Sequence, residues 1–198
     1  MKILFVYSTI NCICTTKCTY ELSKALKKHC ITEVINYRVL SNDIVEKFDI
    51  IILQRIGDGI IISKEDKENI FNIIRKNRNK KFVYIVDDLI IESQHGLPKE
   101  LATICDAVMC SSDRLCNNFK KYNKNVIRFN TFIDINFYES IKRNIYNKFT
   151  MAWVSTDGLG LDILNEIVNR KEVMNIDFDI IAIGKQSYNF IRVNYVKC

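Results

Sequence analysis

One proline and six glycines in 198 residues exclude a flexible linker or a low-complexity tract. No apolar run approaches the roughly 20 residues that a membrane-spanning helix needs. The opening MKILFVYS is too short an apolar run for a secretion signal, and turn-forming residues follow it. The chain is therefore expected to be cytoplasmic, with its eight cysteines mostly free thiols. Cys12, Cys14, Cys18, His29 and Cys30 bring soft ligands close in sequence, but their spacing fits none of the usual zinc patterns, so no metal is expected. Cys105, Cys110 and Cys116 read as small buried apolar residues.

A hydrophobic fraction of 48% with 26% charged residues is enough for a real core without metal or disulfide staples. The formal charge is +6, a balance that suits phosphate-bearing substrates, nucleic acid or an anionic membrane. The basic residues are spread out, which argues against nucleic acid. The densest run, Arg75 to Lys81, ends a predicted helix and reads as cations complementing a helix C-terminus, with a membrane-surface patch as the alternative.

Strand-length apolar runs alternate with amphipathic helices. Ile3–Tyr7 is apolar on both faces, as a strand covered on both sides must be. A helix is expected over Thr16–Lys28, with Leu22, Ala25 and Leu26 on its apolar stripe. Strands are expected at Thr32–Tyr37, Phe48–Leu53, Phe82–Val86, Ala107–Cys110 and Val126–Phe129. Ser63 and Ser112 stand where caps of two further helices belong. This alternation predicts an α/β Rossmann-like parallel sheet with helices on both faces over residues 1–135. Residues 136–148 read as a link. The pattern restarts over 149–198, with strands at Thr150–Val154, Phe178–Ile183 and Phe190–Val196 and a helix at Leu161–Asn169, as the start of a second Rossmann-like domain.

Open parallel sheets bind ligands at the carboxyl ends of their strands. The residues that follow each strand are therefore the candidates. They include Arg55 after the third strand and Asp87-Asp88 after the fourth. His95 lies in the loop beyond, Ser112 follows the fifth strand and Asn130 the sixth. A carboxylate there can take a proton from a hydroxyl. Arg55 can grip a phosphate or carboxylate as a planar fork, or pair structurally with Asp87 or Asp88. Ser111-Ser112 equally suits a helix cap. The acidic pair follows the fourth strand, not the first, which argues against a receiver domain.

Several segments carry a resemblance. Asp49–Arg55 (DIIILQR), Phe82–Leu89 (FVYIVDDL), Cys105–Ser112 (CDAVMCSS), Asn130–Asp134 (NTFID) and Thr150–Gly160 with Asp162 occur in an order and spacing similar to glycosyltransferases of the glycosyltransferase-B fold. The subgroup they most resemble is the family-one and family-four-like transferases of surface polysaccharides.

The resemblance implies an acceptor-side first domain and a donor-side second domain. It implies sugar transfer from a nucleotide-sugar to a glycan or lipid-linked acceptor, with no metal and no cofactor beyond the nucleotide-sugar substrate. Asp87 and Asp88 would be catalytic. Arg55, His95, Ser112 and Asn130 would meet the acceptor, and Thr156, Gly158, Gly160, Gly184 and Lys185 the donor diphosphate. The family's basic donor-binding residues lie beyond Cys198. A truncated donor-side domain, weak or absent activity, and self-association or docking on a partner transferase are therefore expected. The alternative expectation is a non-catalytic protein that binds a glycan or a transferase.

Overall fold

The structure is a computed structural model and describes residues 1–8, 16–56, 62–87, 97–130, 149–154, 166, 178–184 and 193–197. The chain divides into two compact units, Met1–Tyr138 and Glu139–Cys198.

The first unit is a six-stranded sheet. Its strands are β1 (Lys2–Tyr7), β2 (Ile31–Asn36), β3 (Ile50–Gln54), β4 (Lys81–Val86), β5 (Ala107–Cys110) and β6 (Val126–Arg128). They lie in the order β2-β1-β3-β4-β5-β6, and every neighbouring pair is parallel. The helices are α1 (Leu22–Leu26), α2 (Asn42–Val45), α3 (Lys64–Lys76), α4 (Leu97–Ile104) and α5 (Asp113–Phe119).

Alternate strand residues serve two separate cores, as the period of two requires. Leu4, Val6, Ile51, Leu53, Phe82, Tyr84, Val108 and Cys110 pack with α2 to α5 on one face. Ile3, Phe5, Ile52 and Ile85 pack on the other with Cys18 and the partly buried Leu22 and Leu26. The Rossmann-like α/β sheet with helices on both faces is thus the architecture of this unit.

Ser63 caps α3 by accepting from the Asp66 amide at 3.0 Å, and Ile70, Ile73 and Ile74 face the core. The expected helix over Thr16–Lys28 differs. The chain first makes a wide π-type turn over Thr16–Glu21, then the short α1. The widened turn shifts the stripe. Ala25 is exposed, and Ser23 is buried instead. The Ser23 hydroxyl donates to Thr32 Oγ1 on β2 at 2.8 Å, so a polar pair stitches this helix to the sheet where an alanine contact was expected.

α4 is an addition to the sequence reading. Pro98 stands in its first turn, where a missing amide costs nothing. Its last carbonyls are satisfied from outside the helix: the buried Asn123 amide donates to Ala102 O and Cys105 O, both at 2.8 Å. Asn77 does the same at the end of α3, donating to Ile73 O at 2.8 Å.

The second unit carries β7 (Phe149–Val154), β8 (Phe178–Gly184) and β9 (Val193–Lys197). They form a parallel sheet in chain order. Of the expected helix at Leu161–Asn169, Glu166 is described, and it is helical and exposed. Among the described residues no helix is long and apolar enough to cross a membrane.

Candidate functional site

The register brings the carboxyl ends of the strands to one edge. Tyr7 pairs with both Asn36 and Gln54, Gln54 with Ile85, Val86 with Cys110, and Cys110 with Arg128. The order of connection reverses between β1 and β3, since β2 lies on one side of β1 and all later strands on the other. Such a switch point opens a crevice, because the crossovers leave it in opposite directions.

The residues beside that crevice are tied together. The Ser8 hydroxyl donates to Arg55 O at 2.9 Å, bridging the ends of β1 and β3. The Asn36 side chain donates to Ser8 O at 3.3 Å, adding the end of β2. The Arg55 amide donates to Ile85 O at 3.3 Å, adding β4. Ser111 Oγ donates to Asp87 O at 3.4 Å, adding β5.

Arg55 is held in the left-handed region, with φ 49°. It is the sole non-glycine residue with positive φ among the described residues. That conformation costs a side-chain-bearing residue about 1–2 kcal/mol. The Ser8 and Ile85 bonds fix its carbonyl and amide, and the turn throws its side chain toward Asp87. Arg55 Nε lies 3.4 Å from Asp87 Oδ1, and both side chains are largely buried, 14% and 13% exposed. The approach satisfies an ion pair, but Oδ1 accepts no hydrogen bond. Proximity without alignment leaves the lone pairs of this oxygen open to a further donor.

Arg55→Gly is expected to be more stable than Arg55→Ala by about 1 kcal/mol. Both remove the ion pair, and glycine alone tolerates the backbone without cost. Urea unfolding of the two variants measures this, and an Ala variant equal to or above the Gly variant would contradict a strained Arg55.

The other candidates separate as follows. Ser112 caps α5 by accepting from the Leu115 amide at 3.3 Å, so its hydroxyl already has a structural partner. Asn130 is exposed just past β6. Gly184 ends β8 and pairs with Lys197 of β9. Asp88, His95, Thr156, Gly158, Gly160 and Lys185 lie outside the described residues. Sequence reasoning missed Ser8 and Asn36, which brace Arg55. Their one signal was position, immediately after β1 and at the end of β2.

Cys105, Cys110 and Cys116 are buried free thiols. Burial, with Cys116 beside it, pushes the Cys110 thiol up to about 12. Burial also raises Cys105. Neither forms the thiolate that nucleophilic or metal chemistry needs. Among the described residues no group of three His, Cys, Asp or Glu side chains is placed to hold a metal ion.

The sequence matches no family model and no curated protein. Solved structures match it in shape. One is an alpha-glucosyltransferase in complex with UDP and a 13-mer DNA containing a HMU base. It has a TM-score of 0.71 and 14% identity, over 93% of this chain and 57% of that one. A second is an alpha-glucosyltransferase in complex with UDP-glucose and DNA containing an abasic site, at TM-score 0.66 and 14% identity with the same coverage of both chains. A third is assigned as a UDP-N-acetylglucosamine 2-epimerase from Listeria monocytogenes, at TM-score 0.54 and 9% identity, over 99% of this chain and 68% of that one. This chain therefore spans 57% of the length of the two alpha-glucosyltransferases. At these identities the likeness is one of fold, and the shared fold is the glycosyltransferase-B architecture.

Proposed function

We propose that this chain takes part in sugar transfer from a nucleotide-sugar, with its first unit serving the acceptor and its second the donor. The observation that carries the reading is the Arg55–Asp87 pair at the switch point of a glycosyltransferase-B sheet. A largely buried carboxylate there keeps an oxygen that accepts no hydrogen bond.

In this reading Asp87 Oδ1 accepts the proton of the acceptor hydroxyl as that oxygen attacks the anomeric carbon. The bond from the anomeric carbon to the diphosphate oxygen breaks, and the nucleoside diphosphate leaves with the electron pair. Arg55 pairs with Asp87 across 3.4 Å and orients it. Asp88 is the second candidate for the same proton. His95, Ser112 and Asn130 contribute to the acceptor side. On the donor side, Thr156, Gly158, Gly160, Gly184 and Lys185 would supply amides and a charge to the diphosphate. The reaction so written uses no metal and no cofactor. A glycan or lipid-linked acceptor of surface polysaccharide, as in the family-one and family-four-like transferases, is the acceptor class that the sequence resemblance supports.

Calorimetric titration of the purified chain with UDP-glucose and related nucleotide-sugars, paired with a radiolabelled transfer assay on glycan acceptors, tests this. Saturable donor binding with weak transfer is the expected result. Glycan binding without donor binding or transfer would replace it with a non-catalytic, glycan-binding role.

A further inference from the structure

A second site lies away from the switch point. α3 and α4 pack on the same face of the sheet, and between them runs a groove of about 520 Å³. Phe71 forms part of its lining, together with Arg75, Arg78, Lys99 and Glu100. Both helices run back from the carboxyl edge, so Arg75 and Arg78 lie toward the amino edge of the sheet, just before β4 begins.

The charges of this groove do not cancel. Its one carboxylate, Glu100, is taken by Lys67, whose Nζ lies 2.9 Å from Oε2 and 3.0 Å from Oε1. Asp106, whose carboxyl Arg78 influences, is taken by Lys81 at 3.1 Å and the Phe82 amide at 2.9 Å. Arg75, Arg78 and Lys99 have no carboxylate within ion-pair distance among the described residues.

The three cations are also held in place. The Arg75 guanidinium lies 5.5 Å from the Phe71 ring centroid. Arg78 Nη1 donates to Ile104 O at 3.1 Å, and Lys99 Nζ sits 5.3 Å from the Tyr122 ring centroid. Each is ordered by contacts that leave N–H donors over. Complementing the end of α3 accounts for Arg75 and Arg78. It does not account for Lys99, which stands in the first turn of α4, where a cation opposes the helix dipole.

We propose that the groove between α3 and α4 binds a phosphate-bearing small ligand, with Arg75, Arg78 and Lys99 sharing its anionic oxygens. Two guanidinium forks and an ammonium match the several charges of an oligophosphate better than a single carboxylate. This site is independent of the sugar-transfer reading.

The test is titration of the full chain with inorganic pyrophosphate, followed by calorimetry and by amide chemical shifts. Saturable binding is expected, weakened at least about tenfold by Arg78→Ala and by Lys99→Glu. Arg78→Lys should weaken it less, and Lys47→Ala, at an exposed residue outside the groove, should leave it unchanged. All replaced groove residues are exposed, and thermal melts confirm that the variants fold. Absence of saturable binding, or binding indifferent to the groove substitutions, overturns the proposal. So does co-sedimentation with phosphatidylglycerol vesicles that needs these cations while pyrophosphate neither binds nor competes, which would make the patch a membrane contact.

Discussion

If the chain transfers sugar as proposed, replacing Asp87 with asparagine is expected to lower that transfer by about 10²–10⁴-fold, the range that a positioned general base contributes. The substitution keeps the shape of the side chain and removes its capacity to take a proton. Its effect should fall on kcat, with KM little changed, because the base acts in the transition state. The fold should survive. The variant loses an ion pair that carries no hydrogen bond, and the Ser8 and Ile85 bonds that hold Arg55 do not involve the carboxylate. Transfer by Asp87→Asn at near the parent rate, with Asp88→Asn inactive, would move the base by one residue. Parent rates from both variants would remove the acidic pair from the chemistry.

Phe119→Ala is expected to destabilise the first unit by about 3–5 kcal/mol, as the deletion of a buried aromatic ring does. Phe119 is fully buried at the last position of α5. Its ring lies edge-on to Tyr122, with centroids 6.4 Å apart. Its carbonyl accepts from the Tyr122 and Asn123 amides at 2.9 and 3.0 Å, which fixes the turn out of the helix. Asn123, set by that turn, closes the end of α4. The truncation therefore opens a cavity and loosens a polar closure together. Urea unfolding should show a lower midpoint with a similar slope. A loss below about 1 kcal/mol would mean that the surrounding core collapses into the space.

The legible parts of this fold are those where one physical demand governs a whole segment. β1, β3 and β4 are buried on both faces, so each had to be a continuous apolar run. α3 announces itself by Ser63 before it and by the spacing of Ile70, Ile73 and Ile74. The parallel sheet followed from the alternation. α4 was hidden because Gly96 and Pro98 resemble loop punctuation, and its apolar residues Leu97, Leu101 and Ala102 span only two turns. The π-type turn before α1 has no signature in residue type. It is a matter of tertiary fit, and it moved Ala25 to the surface. At the candidate site, the placement of Arg55 and Asp87 on one edge followed from their positions after strands. The left-handed backbone of Arg55 did not, since nothing local favours arginine there over glycine. It arises from partners distant in sequence, Ser8 and Ile85.

The strand order also dictates how the sheet can be put together as the chain leaves the ribosome. Parallel pairing rules out hairpins, so each strand waits for a crossover before it finds its neighbour, a slow and non-local event. Here, however, the sheet needs no insertion. β2 adds to one side of β1 and β3 to the other. β4, β5 and β6 then join in the order in which they are synthesised, each at the rim just completed. No strand has to force its way between two that are already paired. An N-terminal intermediate at any point of translation is therefore a smaller native sheet rather than a misordered one, and from β3 onward its growing edge is the strand most recently made.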